Sequence, residues 1–163
     1  MDLSSFSSLA AHWPVDWIII GAFTALVAFD AFRNGSRRGI AISLAFPVTF
    51  IAYGYLDQTA IIAPILKTVS FPLEQNAIAI GMLVILFLLF SRMGGSFFGG
   101  SSGSIQALIT GIAAAIVAAV FWLQLAPLEA LWHFGPSVAQ VFGVSWRLWW
   151  LFGSYLALAF VRG

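Results

Sequence analysis

Residues 82–90 read MLVILFLLF, a stretch without a single polar side chain, and it belongs to one of five apolar runs that fill most of the sequence. In hydrocarbon the backbone N–H and C=O groups must be satisfied inside the segment, so runs of this kind fold as helices. The runs cover residues 15–32, 39–55, 77–93, 105–125 and 146–161. A bilayer crossing takes about 20 residues, so the last run is at the minimum. Composition points the same way. The chain is 61% hydrophobic and 8% charged, against roughly a quarter charged in soluble domains, and it lacks the polar surface to cover its own core in water. The sequence therefore predicts an all-α, polytopic transmembrane helix bundle. It has four to five membrane helices and forms a single integral membrane domain over residues 1–163.

Pro47 falls inside the second run, where a membrane helix tolerates it because neighbours re-satisfy the freed carbonyl. The segment before the first run, MDLSSFSSLAAHWP, is acidic and aromatic where a signal peptide is basic, so the first run is expected to remain as a helix. Two connecting segments are too apolar for ordinary loops. Residues 59–71 repeat isoleucine and leucine at helical spacing between prolines, and residues 128–142 are broken at Gly135-Pro136. Both read as interfacial or re-entrant half-helices. Residues 94–104, GGSFFGGSSGS, have the composition of a flexible linker and lack the lysine that a phosphate-binding loop requires.

Orientation follows from the basic residues, which short cytoplasmic loops retain. With the N-terminus outside and five crossings, Arg33, Arg37, Arg38, Arg92 and Arg162 fall inside, and Lys67 and Arg147 outside. The same orientation sends Asp2, Asp16, Asp57, Glu74 and Glu129 outside and leaves only Asp30 near the inner boundary. Trp13, Trp17, Trp122, Trp132, Trp146, Trp149 and Trp150 then all sit at the outer interface, where amphipathic rings anchor. With four crossings the C-terminus would instead lie outside and the charge bias would weaken.

Several functions lack their residues. A net charge of +1 on seven basic residues gives no footprint for nucleic acid. The absence of cysteine removes disulfides and thiolate metal sites. His12 and His133 lie beside tryptophans with no carboxylate motif, too few ligands for a metal site. Ser43 and Ser91 have no base in reach, and no HExxH or aspartate pair occurs at membrane depth. No catalytic residue, cofactor or metal is expected. Asp30 precedes Arg33 by one helical turn, so the two read as an ion pair at the membrane boundary rather than as a proton relay, which would need a second intramembrane acid. Small residues at four-residue spacing, Gly21 with Ala25, Gly111 with Ala115 and Ala119, and Gly153 with Ala157, predict close helix packing.

The pattern resembles one known family. DWIIIG, from Asp16 to Gly21, is similar to the aspartate-led first helix of the colicin V production protein (CvpA-like) membrane proteins. RNGSRRG resembles their arginine-glycine loop through Arg33, Gly35 and Arg38, and LEQNAIAI resembles the entry to their third helix. The order of helices is similar over about three quarters of the chain, judged against the helix count its length allows. The loop departs from the family in one inserted residue and in Gly39, which stands where an acid often follows. The resemblance implies a bacterial inner-membrane protein supporting bacteriocin export and envelope maintenance, without enzymatic activity. It fits a homo-oligomer or an accessory scaffold among other membrane subunits, with the lipid bilayer as its medium. A small channel or pore-forming oligomer is the alternative, drawing on Thr24, Ser43, Thr49, Gln106, Thr110, Gln124 and Ser154 as its few polar candidates, and an integral subunit of a larger membrane complex is another.

Overall fold

The computed structural model describes residues 15–56, 72–93 and 103–161. The half-helix expected over residues 59–71, most of the Gly/Ser linker, and Trp13 lie outside the described residues. Seven helices follow one another: α1 (Val15–Asn34), α2 (Arg37–Gly54), α3 (Pro72–Met93), α4 (Ser104–Trp122), α5 (Ala126–Leu131), α6 (Pro136–Val141) and α7 (Val144–Phe160). No strand occurs among the described residues. Three helices, Val15–Asn34, Asn76–Met93 and Ser104–Trp122, are long and apolar enough to cross a membrane. The arginines that open α2 and the 17-residue length of α7 keep those two outside that set.

The second connecting segment, broken at Gly135-Pro136, resolves into two short helices. Pro127 and Pro136 sit in the first turns of α5 and α6, where a missing N–H costs nothing, and the chain runs extended at Trp132 between them. Between α1 and α2 the chain reverses within two residues. This requires Gly35, whose φ of 83° lies in the left-handed region that glycine enters without penalty.

α4 is the axis of the bundle. Within the bundle 56% of it is buried, against 17% of α1 and 11% of the Asn76–Met93 part of α3, and it packs on α1, α2 and α7. Lipid tails are as apolar as leucine, so association of such helices rests on close van der Waals packing rather than on hydrophobic burial. The small residues of α4 supply it. A methyl group at Gly111 would stand 2.6 Å from the Thr24 carbonyl oxygen and 2.9 Å from the Ala28 nitrogen, so α1 and α4 meet backbone to backbone. At Gly39 of α2 an added Cβ would collide with Thr110 of α4. The glycines of the other two spaced pairs behave differently: Gly21 and Gly153 have nothing within 4 Å of an added Cβ. Spacing alone could not distinguish a contact glycine from one facing outward.

Pro47 leaves the carbonyl of Ser43, four residues back, without its helical donor. The hydroxyl of Tyr155 on α7 donates to that oxygen at 2.8 Å. Ser43 is fully buried, so the proline of one helix has its repair on another, and α7 is fixed alongside α2 and α4. Leu158 of α7 completes the contact by joining Ile40 and Ala113.

Tyr155→Phe should therefore lower stability by about 1 kcal/mol, between the ~0.6 typical of interhelical hydrogen bonds in membranes and the ~1–3 for an orphaned buried group. Pro47→Ala restores a backbone donor, so in that background the same change should cost measurably less. Reversible unfolding of the four proteins in mixed detergent micelles measures the coupling, and equal losses in both backgrounds would refute the pairing.

Candidate functional site

Asp16 occupies the first turn of α1, where the positive end of the helix dipole favours a carboxylate. It is only 8% exposed, and its two oxygens face the α5–α6 connection. Trp132 Nε1 donates to Oδ1 at 3.1 Å, and the backbone N–H of Gly135 donates to Oδ2 at 2.7 Å. Trp122, at the end of α4, donates its Nε1 to the Trp132 carbonyl at 3.1 Å and sets its ring edge-on to Phe134. One carboxylate thus clamps a loop 116 positions away in the sequence. A Cβ at 135 would lie 2.8 Å from Asp16 Oδ2, so any larger residue there must push the carboxylate aside.

Beneath this clamp lies a cavity of about 310 Å³ bounded by Ile19, Ile20 and Phe23 of α1, Phe46 of α2, Ala115, Ala118 and Ala119 of α4, and the rings of Trp122, Trp132 and Phe134. Every lining residue is apolar save for the two indole N–H groups, and both are already bonded. The space can take hydrocarbon. It offers no free group for proton transfer or for holding an ion.

The anchoring tryptophans gather at this same end. Trp17 packs against Phe142 with ring centres 6.5 Å apart, and Trp150 packs on the same Phe142 at 5.5 Å while donating Nε1 to the Val141 carbonyl. Trp146 and Trp149, in the opening turns of α7, are exposed.

The opposite end carries four of the five described arginines, Arg33, Arg37, Arg38 and Arg92, while Arg147 stays with the tryptophans and donates its Nε to the Phe142 carbonyl. Asp30 takes Arg38 as its ion-pair partner, 2.9 Å away, rather than the expected Arg33, and also accepts from Asn34. The cause is the glycine turn, which brings the start of α2 back beside the last turns of α1. Arg33 instead lies over the Phe29 ring, 5.6 Å from its centre. Arg37 reaches across to donate to the Ser91 and Arg92 carbonyls, capping the C-terminal end of α3.

Among the described residues no group of three or more histidines or acids could hold a metal ion. Of the seven polar side chains considered for a pore, five bond to nearby backbone, Ser154 is buried with no hydrogen-bond partner among the described residues, and Gln124 borders a cleft beside Phe50 and Pro127. Thr24, Ser43, Thr49 and Thr110 each donate to the carbonyl four residues back, and Gln106 accepts from the Gly103 N–H. Ser43, Thr49, Thr110 and Ser154 are buried between helices.

Sequence reasoning marked Asp16 only as a motif and topology residue and missed its two donors. The available signal was an acid opening an apolar helix, paired with a Trp-x-x-Gly-Pro loop far along the chain. Comparison of the chain with protein-family models, with curated proteins and with solved structures finds no match.

Asp16→Asn presents an amide to at least one of the two donors and should cost ~1–3 kcal/mol. Gly135→Ala leaves every polar group in place but displaces the carboxylate, and should destabilise to a similar extent. Thermal unfolding in detergent measures both, and an unaffected Gly135→Ala protein would refute the clamp.

Proposed function

We propose that this protein is a non-enzymatic, CvpA-like membrane protein that serves envelope integrity or export as an oligomeric or accessory scaffold. The observation that carries the reading is what the motif-like residues do. Asp16 clamps a loop, Gly35 makes a turn, Arg38 pairs with Asp30, and Arg33 covers a phenylalanine. These are architectural tasks, and none leaves a reactive group facing a polar cavity. The large apolar side chains on the outside of α1, α3 and α7, among them Leu26, Ile85 and Leu148, suit contact with lipid or with a second membrane helix.

In this reading α2 and α7 cross together with α1, α3 and α4, giving five spans, with the N-terminus outside and the C-terminus in the cytoplasm of a bacterial inner membrane. The placement of Tyr155 and Leu158 along α2 supports a spanning α7 over one lying flat at the interface. Arg33, Arg37, Arg38 and Arg92 at one end, against Arg147 and the described tryptophans at the other, agree with this orientation. The channel alternative has against it that five of its seven polar candidates are bonded to nearby backbone.

Single cysteines placed at Ser5, Ser36, Ser102, Ser137 and Gly163, in a chain with no native cysteine, test the topology. Ser5 and Ser137 should label from outside and the other three only from the cytoplasm; outside labelling of Gly163 reduces the count to four. Function is tested on the purified full chain. A discrete homo-oligomer or a stoichiometric membrane partner, with no ion flux after reconstitution into liposomes, is expected. Flux through the purified protein would overturn the scaffold in favour of the channel.

A further inference from the structure

We propose that the arginine-bearing end of the bundle binds the phosphate headgroup of an anionic phospholipid. The inference rests on α1 and α3 lying in a membrane and not on the scaffold reading. Four guanidinium groups, those of Arg33, Arg37, Arg38 and Arg92, gather where α1 ends, α2 begins and α3 ends. Among the described residues one carboxylate, Asp30, faces them, and Arg38 already holds it. The other acids of α1, α3 and α5, Asp16, Glu74 and Glu129, belong to the opposite ends of their helices or to the opposite end of the bundle.

The start of α2 sharpens the imbalance. A helix N-terminus is itself partly positive and favours acids, yet the first turn of α2 carries Arg37 and Arg38, no acid, and no side-chain cap from Ser36. Arg37 directs one nitrogen to the α3 carbonyls while its Nε is buried without a partner. Arg33 and Arg92 make no ion pair among the described residues. Such a set is complementary to a phosphate, which guanidinium forks grip by two oxygens at once.

The surroundings select a lipid over a soluble anion. Arg33 lies over Phe29 and directly follows Phe32 in the chain, and Arg92 directly precedes Met93; these three apolar side chains are 59%, 58% and 62% exposed. Charged forks beside bare apolar surface match a molecule whose phosphate continues into acyl chains, and basic sites between membrane helices hold phospholipid headgroups in this way.

The full chain in nanodiscs of mixed phosphatidylcholine and phosphatidylglycerol, released into native mass spectrometry, tests the site. Wild type should retain phosphatidylglycerol over phosphatidylcholine by about thirtyfold, the order expected for two arginines near anionic lipid. Arg33→Gln with Arg92→Gln should lose that preference while keeping the wild-type melting temperature in phosphatidylcholine alone, which separates loss of the site from loss of the fold. Inorganic phosphate should not displace the retained lipid. Equal retention of the two lipids by wild type, undiminished preference in the double variant, or displacement by inorganic phosphate would each overturn the proposal.

Discussion

The backbone of α1 rests directly on that of α4 at Gly111, and the remaining architecture is arranged around that contact. Helices in hydrocarbon gain nothing by hiding leucines from lipid, so they must approach closely enough for dispersion to hold them. Gly111, with Ala107, Ala114 and Ala115 on the same helix, permits that approach and leaves α4 buried along most of its length. The bulky residues are displaced to the outer faces, where Leu26, Phe29, Val84, Ile85 and Phe152 lie exposed. A soluble protein would have the reverse distribution.

The two ends of the bundle are chemically opposite, and each is closed by one carboxylate. At one end Asp16 gathers indole and backbone donors and fixes the α5–α6 loop over an apolar cavity. At the other Asp30 tempers a cluster of arginines around a glycine turn. Between them Thr24, Ser43, Thr49 and Thr110 each turn a hydroxyl onto the carbonyl four residues back in the same helix, while Tyr155 donates across to α2.

The helices were legible because an apolar run long enough to span must be helical, and the runs beginning at Val15 and ending at Met93 lie close to the observed α1 and α3 termini. The break at Gly135-Pro136 was legible for a similar reason, since proline opens a helix more easily than it continues one. Partner choice was not. Asp30 and Arg33 share a helical face, but helical spacing says nothing about what a returning strand of chain delivers, and Arg38 arrives by way of Gly35. The spaced glycines were legible as a pattern and not as contacts, because only the rotation of each helix decides whether Gly111 or Gly21 meets a neighbour. Tyr155 had a readable cause, the carbonyl stranded by Pro47, but many hydroxyls could have answered it.

The Pro47–Tyr155 arrangement bears on how the bundle is made. The stranded carbonyl emerges from the ribosome with α2, and its donor lies 112 residues later. Until α7 is in place that oxygen must borrow water or a passing donor, so α2 stays an unfinished helix. Arrival of α7 supplies the missing hydrogen and expels the borrowed solvent. A chain cut short before α7 would keep its apolar spans and still hold a polar fault in its second helix, a feature by which membrane quality control could tell a partial product from a finished one.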